Sequence, residues 1–312
     1  MQSFYSEAVS KFSMIIIAYK KVFFFVTGVT VALSIAAIAA FGLNFGVDFT
    51  GGTLVEVRYE AERPAQNVVA ASLRNAGIED ASVRPSDDDI YIIRSGVLSG
   101  LDIQTLPDAV SVGGEYPAEI ERFTEIGPTI GQELRNKALV ALVLVAVAIV
   151  LYIAFTFRHV SRPVSSWVYG AIAVIALIHD ILVPAGLFAV LGQFFGAQVD
   201  SLFVMALLAI LGYSVNDTIV VFDRVRENLR GNIERGRKEE FCLTVGRSLT
   251  QTIVRSLNTS ITSLLALLAL FFLGPNATQD FALTLIAGVI AGTYSSIALA
   301  APLLVAYEKM RS

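Results

Sequence analysis

Residues 200–222 read Asp200-Ser-Leu-Phe-Val-Met-Ala-Leu-Leu-Ala-Ile210-Leu-Gly-Tyr-Ser-Val-Asn216-Asp217-Thr-Ile-Val-Val-Phe222. This is a run long and apolar enough to cross a bilayer, which takes roughly 20 residues, yet it carries a carboxyl group in its inner half. Five further stretches have the same length and apolarity, so the chain reads as six transmembrane helices at 22–41, 137–157, 164–191, 200–222, 254–273 and 280–307. The whole composition agrees: 312 residues, 55% hydrophobic, 16% charged and a mean hydropathy of +0.67. A soluble domain of this size is less apolar. The lipid bilayer is therefore part of the solvent.

The net charge of −4 averages over two sides of a membrane, so charge is informative only loop by loop. Lys11, Lys20 and Lys21 precede the first span, Arg158 and Arg162 join the second to the third, and Lys309 and Arg311 follow the sixth. Residues 223–253, a basic segment, add Arg224, Arg226, Arg230, Arg235, Arg237, Lys238 and Arg247. The short connections at 192–199 and 274–279 have neither Lys nor Arg. The excess of positive charge places residues 1–21, 223–253 and 308–312 in the cytoplasm and both termini on that side. The first apolar run is too long for a signal-peptide core, so it is expected to stay as an uncleaved span. Cys242 has no second cysteine to pair with, which excludes a disulfide framework and a thiolate metal site.

Residues 42–136 form the one sizeable polar region, and the topology puts it outside the cytoplasm. Thr53–Tyr59 alternates as a strand, Pro64 opens a helical stretch ending at Gly77, and strands follow at 81–84 and 90–93 around the turn residues Ser86-Asp87-Asp88-Asp89. A weaker helix over 101–110 and a strand over 119–126 complete a β-α-β-β-α-β order, which predicts a ferredoxin-like domain. The region contains no His or Cys, and neither a metal site nor an acid/base pair stands out. It is expected to bind or push rather than catalyse.

Polar groups within the spans are costly unless paired or hydrated, so each is a candidate for function. Asp217 lies about two helical turns from the charged cytoplasmic end. Desolvation and a nearby cation act on such a carboxyl in opposite directions, as a proton-carrying site requires. The bland alternative is a permanently paired aspartate. On the fifth span Thr252, Arg255, Asn258, Thr259 and Thr262 recur at spacings of three and four and share a stripe that is not expected to face lipid. Arg255 keeps its charge and suits a fixed counter-ion rather than a proton carrier, or else it snorkels to the interface. His179-Asp180, in the third span with Pro184 one turn on, is either a proton relay or a packing pair. Ser214 and Asn216 complete the candidate polar network. An intramembrane aspartyl protease would need Asp180 and Asp217 to face each other, and their depths are expected to differ by several turns.

Three stretches together resemble one family. They are Gly46-Val-Asp48-Phe-Thr-Gly51-Gly52 after the first span, Gly212–Arg224 in the fourth, and Arg255-Ser-Leu-Asn-Thr-Ser260 in the fifth. In that order they closely resemble the SecD/SecF family of the resistance-nodulation-division superfamily, and the resemblance covers essentially the whole chain. It implies a bacterial inner-membrane subunit of protein export, not an enzyme. The implied partners are SecD, the SecYEG channel and translocating preprotein, with no nucleic acid. It also implies that protons are the coupling ion, with no cofactor and no metal, and that Asp217 and Arg255 are tied to proton coupling. A proton-driven small-molecule or lipid exporter half of the same superfamily is the alternative, and the half-sized chain speaks against it. Gly46, Gly51 and Gly52 suggest a tight backbone path. Asp48 either caps local backbone or joins the polar interior.

Overall fold

Each apolar run becomes a helix, and the helices continue past the apolar windows. In the computed structural model, residues 13–78, 81–86, 89–156, 164–275 and 278–311 are described. Lys11, Asp87, Asp88, Arg158 and Arg162 lie outside them. Among the described residues, six helices are long and apolar enough to cross a membrane: α1 (Lys20–Phe41), α5 (Pro128–Thr156), α6 (Ser166–Phe195), α7 (Ser201–Glu234), α8 (Phe241–Leu273) and the sixth span, Gln279–Arg311. The sixth comprises α9 (Gln279–Tyr294), a π-helical stretch Ser295–Ala300, and α10 (Ala301–Arg311). Helix α7 extends twelve residues beyond Phe222, supported by Arg224–Glu227 and Arg230–Glu234 pairs at helical spacing.

The chain divides into two compact units, a membrane unit and an external unit of Phe45–Val140 with Gln198–Ser201. In the membrane unit the third, fourth and sixth spans form the centre. Half of the third span's apolar window, 44% of the fourth's and 72% of the sixth's are buried, against 6–11% for the first, second and fifth. Small residues permit this packing. A Cβ on Gly288 would fall 2.1 Å from the Ile210 side chain, one on Gly292 2.9 Å from Ser214 Cβ, and one on Gly186 2.6 Å from Ser34 Cα. Such close approach replaces the hydrophobic drive that lipid removes.

In the external unit, a short helix α2 (Val47–Thr50) precedes the expected order: β1 (Gly52–Tyr59), α3 (Gln66–Asn75), β2 (Ser82–Pro85), β3 (Ile90–Ser95), α4 (Gly100–Val110) and β4 (Ala118–Ile126). The sheet is antiparallel in the order β2-β3-β1-β4, the ferredoxin-like arrangement. Val55, Val57 and Ile93 from the sheet share a core with Val69, Leu73, Leu106 and Val110 from the helices. Ser99 and Asp102 form a reciprocal cap on α4. Tyr59 donates its hydroxyl to the Val110 carbonyl at 2.9 Å, and burial pushes that phenol up to about 12.

Candidate functional site: a carboxyl group at the centre of the membrane unit

The site begins with α7, whose buried face carries Ile210, Leu211, Ser214, Asp217, Thr218 and Val221 at spacings of three and four. Asp217 is 3% exposed. Its Oδ2 is buried without a hydrogen-bond partner, as is the hydroxyl oxygen of Ser256 on α8. Ser256 stands beside this carboxyl, and Arg255 is near enough for its charge to act on it. The Arg255 side chain itself is on the exposed surface of the chain.

Helix α8 therefore carries two polar lines. Thr252, Ser256 and Ser260 face inward and are buried, while Arg255, Asn258 and Thr262 face outward and Thr259 lies half-buried between them. The expected stripe is thus only partly inside this chain. Its outer members lie on a surface that the chain does not itself cover. The Thr259 and Thr262 hydroxyls donate to carbonyls of their own helix, to Arg255 O at 3.0 Å and to Asn258 O at 3.0 Å. On the inner line, Tyr213 donates to Ser260 at 3.2 Å, and the Ser260 and Thr293 hydroxyls lie 2.6 Å apart. This joins the fourth, fifth and sixth spans.

His179 and Asp180 are buried in the third span, 3% and 0% exposed. Their side chains meet at 2.8 Å between Nδ1 and Oδ1. Ser214 and Ser295 both donate to Asp180 Oδ2, Ser295 at 2.8 Å. Because Ser214 lies three residues before Asp217, the two carboxyl groups are about one helical turn apart in depth, roughly 4.5 Å along the axis. The expectation of several turns is corrected by this contact, which position along the span alone does not reveal. Asn216 is exposed and stands apart from this cluster.

After the first span, Asp48 resolves its two alternatives in a third way. It caps the backbone of a distant segment, with Oδ2 accepting the Ser201 N–H at 2.9 Å and the Ser201 hydroxyl at the first residue of α7. The Gly46 N–H donates to Val199 O at 2.8 Å. Gly51 and Gly52 have φ of +76° and +127°, and a Cβ would lie 2.7 Å from Pro128 Cα or 2.5 Å from Ser95 O.

Residues 110–310 match the family described as "Protein export membrane protein SecD/SecF, C-terminal", and residues 36–62 match the SecD/SecF GG motif. The chain belongs to the SecD/SecF family. Among its relatives, the protein translocase subunit SecF of Thermobaculum terrenum is 42% identical over 281 residues, covering 86% of each chain. That of Anaerolinea thermophila is 36% identical over 295 residues, covering 94% of each, and that of Pseudomonas aeruginosa 36% identical over 278, covering 87% of this chain and 85% of the relative. Among solved structures, the translocon-associated membrane protein SecDF of Thermus thermophilus matches with a TM-score of 0.81 and 32% identity. That match takes in 94% of this chain and 38% of the SecDF chain, so this chain spans well under half of that longer protein. Within the SecD/SecF family's GG motif fall Gly51 and Gly52, the pair whose backbone leaves no room for a side chain. The chain is a multi-pass membrane protein of this family.

Sequence reasoning missed Ser256, Ser260, Thr293 and Ser295, which complete the polar interior. The first two were legible as an i, i+4 pair on the opposite flank of the α8 stripe. Ser295 and Ser296 stand out only as adjacent hydroxyls in an apolar span.

Proposed function

We propose that the chain is an auxiliary subunit of the Sec preprotein translocase. With SecD it uses the proton motive force to promote late steps of protein export across the bacterial cytoplasmic membrane. The observation that carries this reading is Asp217. It is a carboxyl group buried at the centre of the membrane unit, with one oxygen lacking a donor and a fixed positive charge on the neighbouring span. An ionised oxygen in that position is costly, and a bound proton removes the charge.

Attraction between ionised Asp217 and Arg255 favours a closed arrangement of the fourth and fifth spans, and protonation removes it. A difference of 1.4 kcal/mol between the two forms changes a conformational equilibrium about tenfold, so one proton is enough for a useful shift. The outward Arg255, Asn258 and Thr262 support a protein partner within the membrane. An arginine on a lipid-facing surface at the cytoplasmic end of a span must snorkel to the interface or meet a polar group, and a partner's polar surface supplies one. SecD is that partner in this reading. SecYEG and preprotein complete the assembly, and both termini are cytoplasmic.

Cross-linking and export test the proposal together. In membranes, a cysteine replacing Asn258 in a Cys242→Ser background should form an adduct with SecD. Arg255→Lys should lower proton-dependent export despite its charge, because the planar guanidinium is lost. Lipid-accessible labelling at position 258 without a protein adduct, combined with normal export by Arg255→Lys, would remove the basis for the reading.

A further inference from the structure

Asp180 is fully buried, and the coupling role given to Asp217 makes no use of it. Its two oxygens have different surroundings. Oδ1 faces His179 on its own helix, while Oδ2 receives two hydroxyls, Ser214 from the fourth span and Ser295 from the sixth. The ionisable groups around it are His179, Asp217 one turn beyond Ser214, on which the charge of the outward-facing Arg255 acts, and Tyr294 of the sixth span. The Tyr294 ring centroid lies 5.8 Å from that of His179, and its hydroxyl meets Thr27 of the first span at 3.1 Å. Among the described residues no lysine or arginine bonds to Asp180.

The convergence on one oxygen makes this joint sensitive to a proton. An ionised Oδ2 accepts both serine hydroxyls. A protonated Oδ2 carries its own O–H and becomes a donor, so one serine must turn away or reverse its role. There is little slack for that exchange, because Gly292 already brings the sixth span against Ser214, where a Cβ would lie 2.9 Å from Ser214 Cβ. Movement has an outlet in Ser295 itself, the first residue of the π-helical stretch. Such stretches interrupt the regular ladder and recur at functional sites.

We propose that Asp180 is a second protonation site, a clasp whose ionised Oδ2 accepts from both the fourth and the sixth spans and which loosens one of those two joints when it takes up a proton. The step balances simply. One proton binds Oδ2 and neutralises the carboxylate, and one serine O–H bond to that oxygen is exchanged for a carboxyl O–H bond to a serine oxygen. Loss of the proton reverses both changes. The proposal rests on the reading of Asp217 as the coupling group, since Ser214 is the link between the two carboxyl groups.

The test is the pH profile of gradient-stimulated export in sealed vesicles containing the full chain and its partners, expressed relative to ATP-driven export in the same vesicles. Ser295→Ala removes one donor that favours the charged form, so the pH of half-stimulation should rise by roughly one unit. Asp180→Asn should lose the stimulation. Ser296→Ala, whose hydroxyl donates to Thr293 O, should keep the unaltered profile. If Asp180→Asn fails to insert, Ser295→Ala decides alone. An unshifted Ser295→Ala profile alongside a silent Asp217→Asn would overturn the clasp and leave the Asp217 reading standing. Full stimulation in Asp217→Asn would overturn the reading beneath both.

Discussion

Replacing Gly51 by alanine separates two reasons for a glycine, because Gly77 supplies a matched control. Both have positive φ, +76° and +91°, but a Cβ at 77 would meet nothing within 4 Å. At 51 it would lie 2.7 Å from Pro128 Cα, 2.8 Å from Pro128 N and 3.1 Å from Ile126 O. Gly77→Ala should therefore carry only the conformational penalty of a left-handed alanine, about 1–2 kcal/mol. Gly51→Ala adds overpacking against backbone that cannot rotate away, about 1–3 kcal/mol more. For a unit of about 100 residues each kcal/mol lowers the unfolding midpoint by roughly 4–8 °C. Thermal unfolding of the external unit can be followed by proteolysis of the intact protein in membranes. Gly51→Ala should drop the midpoint about twice as far as Gly77→Ala and impair export while leaving insertion intact. Equal drops would refute the argument from the Pro128 contact.

A cysteine replacing Ser99 should react with a membrane-impermeant thiol reagent in cells whose outer membrane is permeabilised, and labelling only after lysis would reverse the topology. Asp48→Ala removes the acceptor for the Ser201 N–H and should lower stability in detergent by about 1 kcal/mol, with Asp48→Asn retaining most of it. At the turn between α7 and α8, burial pushes the Glu239 carboxyl up. Hydrogen bonds from Asn232 and Thr244 and the charges of Arg247 and Arg237 outweigh it, so the net direction is down. Its contribution to stability is thus complete above the ordinary glutamate value of 4.5 and lost as pH falls through the lower folded value. Glu239→Gln should flatten that acid limb in a melting series, and an unchanged limb would assign it to another carboxylate.

The spans and the external strands were legible because burial imposes a period. Thr53–Tyr59 alternates in sequence, and Thr53, Val55, Val57 and Tyr59 are buried in the sheet. Helix ends were less legible, since the charged turns Arg224–Glu234 are held by pairs on their own helix rather than by apolar contact. Asp217 stood out because a carboxyl in an apolar run is rare. The partners of Asp180 did not, because serines are ordinary in spans and Ser214 and Ser295 are 34 and 115 residues away in sequence. On α8 the periodicity grouped Arg255, Asn258 and Thr262, but a period cannot say whether a face looks into its own chain or toward another.

The central claim is that the Asp217 carboxyl couples proton movement to export. The direct measurement is preprotein export into the external space of sealed vesicles under an imposed pH gradient, with ATP-driven translocation held constant. Asp217→Asn should lose the stimulation by the gradient, since the side chain is fixed in a form like the protonated one, and Asp217→Glu should retain part of it. Full stimulation in Asp217→Asn would contradict the account.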